Sequence, residues 1–190
     1  KLDKSKKILF NARQKKVRPG LDDKVLLSWN ALMALALCKA YAAFGNEDFL
    51  QMAKANIAFV EKNLFNEKKQ LLHGWNKIAN TQPAFLDDYA ALIQAYIQLQ
   101  QATAETSYLL KAKDLTEQAI ELFSDEQNNF FYFTAQDQLD VLVRKTEIYD
   151  GATPSGNAVM ALNLILLSVI FDIPKWKERA EQMLSYFTRF

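Results

Sequence analysis

The chain has 190 residues, enough for one well-packed domain and too few for two large ones. Half of its residues are apolar and 24% are charged, an ordinary balance for a globular protein. The 23 basic and 22 acidic residues leave a net charge of +1, so no global field draws the chain to nucleic acid or an anionic membrane, and a single cysteine with a single histidine excludes an internal disulfide, a CxxC redox pair and a Cys/His zinc site.

A short helix over residues 4–13 is expected first, followed by six main helices. The first spans 24–44 and is apolar almost all round. The second, 47–63, carries Phe49, Met52, Ala53, Ile57 and Val60 on one stripe, with Lys54, Glu61 and Lys62 off it. The third, 87–102, is again mostly apolar. The fourth, 105–123, is amphipathic, with Lys111, Lys113, Glu117 and Glu121 outside. The fifth, 155–171, has no charged residue, and the sixth, 175–187, is amphipathic. Strand-like composition is confined to 130–134 and 141–143, which reads as a minor β-hairpin in a long loop. Five glycines and four prolines punctuate these stretches, as helix boundaries require.

The alternation of helix types is an internal repeat. Leu21-Asp22-Asp23 recurs 65 residues on as Leu86-Asp87-Asp88, and Asp150 opens a third unit 63 residues after Asp87. The first, third and fifth main helices lack a wide polar face and are expected to be covered on most sides. The other three keep a solvent face. The predicted fold is therefore all-α: three α-hairpins, each an inner helix followed by an outer one, in a single segment over 1–190. Inner-to-outer turns are short and outer-to-inner connections, about 64–86 and 124–154, are long. Long loops at one end of an array point to a site there, at the N-termini of the inner helices.

That end collects the chemistry. Asp22 and Asp23 precede the first inner helix, which carries Trp29 and Asn30. Asp87, Asp88 and Tyr89 open the second, Glu147, Asp150 and Asn157 flank the start of the third, and the first long loop holds His73 and Trp75. Asp is a favoured helix cap, so one acid of each pair reads as a cap. The second acid exceeds what capping needs. Turned toward the axis, its pKa would rise into a useful acid/base range. His73 reads either as a hydrogen-bonded structural residue or as a proton-transfer group. Trp29 reads first as a core aromatic, whereas Trp75, in a loop, suits stacking on a sugar ring. Gly156, after Pro154 and Ser155, lets a ligand or another backbone come close. Cys38 reads as a small core residue.

Four motifs then occur in a fixed order: Pro19-Gly20-Leu21-Asp22-Asp23-Lys24, Ser28-Trp29-Asn30-Ala31-Leu32-Met33, Phe85-Leu86-Asp87-Asp88-Tyr89-Ala90 and Asp150-Gly151-Ala152-Thr153-Pro154-Ser155-Gly156-Asn157. Over about 13–171 the chain resembles the C-terminal region of the spermatogenesis-associated, thioredoxin-domain-containing family. The resemblance implies a helical (α/α)6 toroid, similar to N-acylglucosamine 2-epimerase and the six-hairpin glycosidases, of which three hairpins are half. The family joins this toroid to a thioredoxin-like domain, and the lack of a CxxC pair and of a βαβ pattern leads to the expectation that this chain holds no such part. The resemblance implies a carbohydrate-acting domain, an epimerase, isomerase or hydrolase, with a non-catalytic carbohydrate- or protein-binding scaffold as the alternative. The proton-transfer candidates are Asp87, Asp88, Asp22, Asp23, His73 and Asp150, and the substrate-binding candidates are Trp75, Tyr89, Trp29, Asn30, Glu147 and Asn157. A carboxylate pair for hydrolysis would be complete within this chain. No metal and no cofactor are implied. A small sugar is the expected partner, with self-association through exposed toroid edges.

No stretch reads as a signal peptide, and the two most apolar runs, 25–38 and 158–171, are shorter than the roughly 18 residues of a membrane span. A cytoplasmic protein without a membrane partner is the expectation.

Overall fold

The computed structural model describes residues 1–76, 82–125, 127–138 and 140–186. Among them are α1 (Leu2–Gln14), β1 (Val25–Leu26), α2 (Leu27–Phe44), α3 (Glu47–Asn63), β2 (Gly74–Trp75), α4 (Leu86–Thr103), α5 (Thr106–Phe123), α6 (Gly156–Phe171) and α7 (Pro174–Ser185). The helix ends follow local chemistry. Gly45 closes α2 in the left-handed conformation at φ 66°, and the Asn46 side chain accepts from Asp48 N–H to start α3. Ser155 caps α6 by accepting from Ala158 N–H, and Pro174 opens α7. The expected helix over 175–187 ends at Ser185; Phe187 lies outside the described residues.

Helices α2, α4 and α6 lie side by side with α4 in the middle, while α3, α5 and α7 pack behind α2, α4 and α6 in turn. This is the inner/outer hairpin array expected from the repeat. The covering of the inner helices is uneven. Eleven of the 18 residues of α4 are buried, against four of 18 in α2. Helix α4 has an inner helix on each side and α5 behind it. Helices α2 and α6 end the row, so Trp29, Met33, Leu162, Val169 and Ile170 remain exposed. The expectation that all three are covered on most sides holds for α4 alone. Helix α2 also proves long and apolar enough to cross a membrane by length and composition, contrary to the sequence expectation; in the fold it packs between α3 and α4.

The small sheet is not where composition placed it. Val25 and Leu26 pair antiparallel with Trp75 and Gly74, which delays the start of α2 to Leu27 and leaves Asp22 and Asp23 outside the helix. Residues 130–134 contribute one isolated bridge, Ser124 with Phe131, and 141–143 form no strand. The aromatic residues there serve the core instead of a ladder. Phe130 and Phe131 are buried, and the Arg179 guanidinium covers the Phe131 ring at 3.8 Å. Arg144 stacks on Tyr132 and donates to the carbonyls of Thr134 and Leu122, which ties this loop to the end of α5.

Candidate active site

The two adjacent acids of α4 point to different neighbours. Asp88 is 1% exposed. Its Oδ1 accepts from Ser28 N–H at 3.1 Å in the first turn of α2, and its Oδ2 accepts from Phe85 N–H at 3.0 Å and from His73 Nδ1 at 2.7 Å. Asp87 instead accepts from Gly156 N–H in the first turn of α6. Helix N-termini leave backbone donors without intrahelical partners. One Asp of the pair satisfies such a donor on the helix to one side, and the other does so on the helix to the other side. The second acid, which exceeded the capping needs of its own helix, caps a neighbour. A Cβ at Gly156 would collide with the Asp87 carboxylate and the Leu86 side chain, so glycine is what lets α6 come this close. The pair therefore diverges, and the expected carboxylate pair for hydrolysis is not formed by Asp87 and Asp88.

Between the first turns of the three inner helices lies a cleft of about 320 Å3. Ser28, Trp29 and Leu32 line it from α2, Asp87, Ala91 and Gln94 from α4, and Gly156, Val159 and Leu162 from α6. Asp87 is half-buried in this wall. Burial pushes its carboxyl above the usual range, the negative charges of Asp88 and Glu147 push the same way, and the bond from Gly156 opposes them. His73 sits beside the wall, not in it, with its ring 4.9 Å from Phe85. The hydrogen bond to Asp88 is the main reason its pKa is raised. Burial opposes this, and the charges of Asp88 and Asp87 add to it. With Nδ1 committed to Asp88, Nε2 is the ring nitrogen left for proton transfer.

The other candidates take structural places. Asp22 and Asp23 are exposed, and Asp22 pairs with Lys24 at 3.4 Å. Tyr89 does not line the cleft: it is 2% exposed, its ring meets Phe123 edge-on at 5.2 Å, and burial pushes its hydroxyl up to about 12. Trp75 is half-buried against Phe59, 5.5 Å away, and pairs with Val25 in the sheet. Asn30 donates to Leu26 C=O and accepts from Asn56. Asn157 is buried and bridges both backbone groups of Phe131 and the Glu147 carbonyl. Glu147 is itself exposed, and Asp150 accepts from Ser155 N–H to shape the turn before α6. Trp29 reverses its expectation: it is 59% exposed on the cleft wall and outside the core. Gln94 and Thr153 also line the cleft and were not singled out. Gln94 could have been found, because it lies seven residues after Asp87 on the same helix face.

No family model matches the chain. An uncharacterized protein of Caenorhabditis elegans is 32% identical over 95% of the chain and 26% of its own length. Spermatogenesis-associated protein 20 of Mus musculus is 29% identical over 95% of the chain and 24% of its own length. The chain is a homologue of a segment of spermatogenesis-associated protein 20. It spans about a quarter of the length of these curated relatives. The GH76 alpha-mannanase BT2949 of Bacteroides thetaiotaomicron superposes with a TM-score of 0.69 at 18% identity, over 90% of this chain and 45% of that one. Cellobiose 2-epimerase of Bacillus thermoamylovorans superposes with a TM-score of 0.69 at 14% identity, over 86% and 44%. The fold is that of the (α/α)6 toroid, and the three hairpins correspond to about half of such a chain.

Proposed function

We propose that this segment supplies one wall of a sugar-binding cleft in an (α/α)6 toroid, and that it moves a proton on the sugar in the manner of an isomerase or epimerase. One observation carries the reading: a half-buried carboxyl with a raised pKa, Asp87, faces the cleft beside a histidine oriented by a buried carboxylate. The solved toroids that act on mannan and cellobiose support it at the level of fold. Hydrolysis needs two carboxyl groups across the scissile bond. Asp88 is buried and fully engaged, so the cleft wall offers one. A proton transfer needs an acid or a base facing the sugar, and Asp87 is the ionisable group that this wall presents, with His73 outside the lining. In the open-chain sugar, a base removes the proton from the carbon next to the carbonyl, and the electron pair moves onto the carbonyl oxygen as an enediolate. Return of a proton to that carbon from the other face epimerises it; return to the former carbonyl carbon, with the proton of the neighbouring hydroxyl passing to the former carbonyl oxygen, isomerises the sugar. Asp88 does not touch the sugar in this scheme and is a positioning residue for His73.

The test is incubation of the chain with mannose, glucose and cellobiose in D2O, followed by NMR. Loss of the proton signal at C2, reduced about 100-fold or more in Asp87→Asn, is the expected result. Release of mannose from mannan without exchange at C2 would replace the isomerase reading with hydrolysis. Absence of both would leave a binding module without catalysis.

A further inference from the structure

We infer that the cleft takes an uncharged sugar, laid against Trp29, and rejects phosphorylated and carboxylated sugars; this rests on the carbohydrate reading. Three observations converge on it. The first is the charge of the wall. Among the described residues that line the cleft, Asp87 is the one ionisable group, and no Lys, Arg or His is present. An anionic substrate needs cationic side chains or free helix N-terminal donors.

The second observation concerns those donors. Inner helices α2 and α6 both begin at the cleft, which would ordinarily make them anion sites. The chain sets one of its own carboxylates at each. Asp88 accepts from Ser28 N–H at α2, and Asp87 accepts from Gly156 N–H at α6. A phosphate or carboxylate brought to the start of α6 meets the Asp87 carboxyl, with the charge of Glu147 adding to the repulsion. His73 does not compensate, because it lies outside the cleft lining and its ring is bonded to Asp88.

The third observation is the shape of what remains. Trp29 is a large aromatic, 59% exposed, on a wall that also carries Leu32, Ala91, Val159 and Leu162. The indole offers an apolar plane to the C–H face of a pyranose, and burial of that face against it is favourable. Ser28, Gln94 and Thr153 add hydroxyl and amide groups, which serve sugar hydroxyls as donors or acceptors without carrying charge. At about 320 Å3 the cleft is at the small end of the range for ligand sites, which suits one ring.

The experiment is a titration of the 190-residue chain with methyl α-mannoside and cellobiose against mannose 6-phosphate and glucuronate. It follows the indole N–H resonance of Trp29 by NMR. The neutral sugars are expected to shift that resonance, and the anionic ones to bind roughly tenfold more weakly or not at all. Trp29→Ala should weaken the neutral sugars by roughly tenfold, with Trp29→Phe recovering part of the loss. Because Trp29 is exposed, both variants should keep the parent's thermal midpoint. Equal or tighter binding of the anionic sugars would overturn the inference and leave the carbohydrate reading in place. So would binding of neutral sugars that Trp29→Ala does not change. No binding of any sugar would overturn the inference together with the carbohydrate reading, unless C2 exchange in D2O is seen, in which case the inference alone fails.

Discussion

Asp87→Asn and Asp88→Asn differ by one residue in position and should differ by several kcal/mol in effect. In Asp88→Asn the amide keeps one acceptor, which can hold Ser28 N–H. The other position becomes an NH2 group facing Phe85 N–H and His73 Nδ1, both donors to the native carboxylate. Two charge-assisted bonds are lost at a site that is 1% exposed. At about 1.5–3 kcal/mol each, the expected loss of stability is about 3–6 kcal/mol, the same scale as removing one partner of a buried ion pair. That is a large share of the roughly 5–15 kcal/mol available to a domain. Asp87→Asn removes a carboxyl whose ionised form is already disfavoured by burial, and its amide oxygen can still accept from Gly156 N–H. Its expected effect is within about 1 kcal/mol. Urea denaturation at neutral pH, with midpoint and slope fitted separately, measures both. With a slope of about 2 kcal/mol/M, Asp88→Asn should lower the midpoint by about 2 M. If Asp88→Asn costs under about 1 kcal/mol, or if Asp87→Asn costs as much as its neighbour, the assignment of the two acids to separate roles is wrong.

Three further outcomes are expected. The folded-state pKa of His73 is raised above its ordinary value near 6.5, so its contribution to stability is fully present below that pH and is lost as pH rises through the raised value. Urea midpoints should fall across that interval, and His73→Gln should remove the slope; a midpoint that rises there contradicts the assignment. Asn157→Ala leaves the backbone groups of Phe131 and the Glu147 carbonyl without their partner. It should cost about 2–4 kcal/mol by urea denaturation, and a change under about 0.5 kcal/mol would mean that water replaces the amide. We also propose that the chain self-associates through the uncovered faces of α2 and α6, where Met33 is 54% and Val169 75% exposed. Light scattering should show mass above the monomer at micromolar concentration, reduced by Val169→Lys with Ile170→Lys; a monomer that binds no hydrophobic dye would refute this.

The helices themselves were legible in the sequence because their signals are local. Apolar spacing, Gly45, Ser155 and Pro174 act within one or two turns of chain, and the observed ends at Phe44, Gly156 and Pro174 follow from them. The long-loop end was legible too, since loop length is read directly from helix ends. Tertiary structure alone decided the rest. The sheet joins Val25–Leu26 to Gly74–Trp75 across some fifty residues, and no local propensity specifies a pairing of that range. Adjacent residues on a helix point about 100° apart, so two acids that look equivalent in Leu86-Asp87-Asp88 reach different helices, one into the cleft wall and one into the core. Trp29 lies on a helix apolar nearly all round, so its sequence could not say which side faces the cleft. The packing of α2 between α3 and α4 decided that, by covering the other side and leaving the indole open.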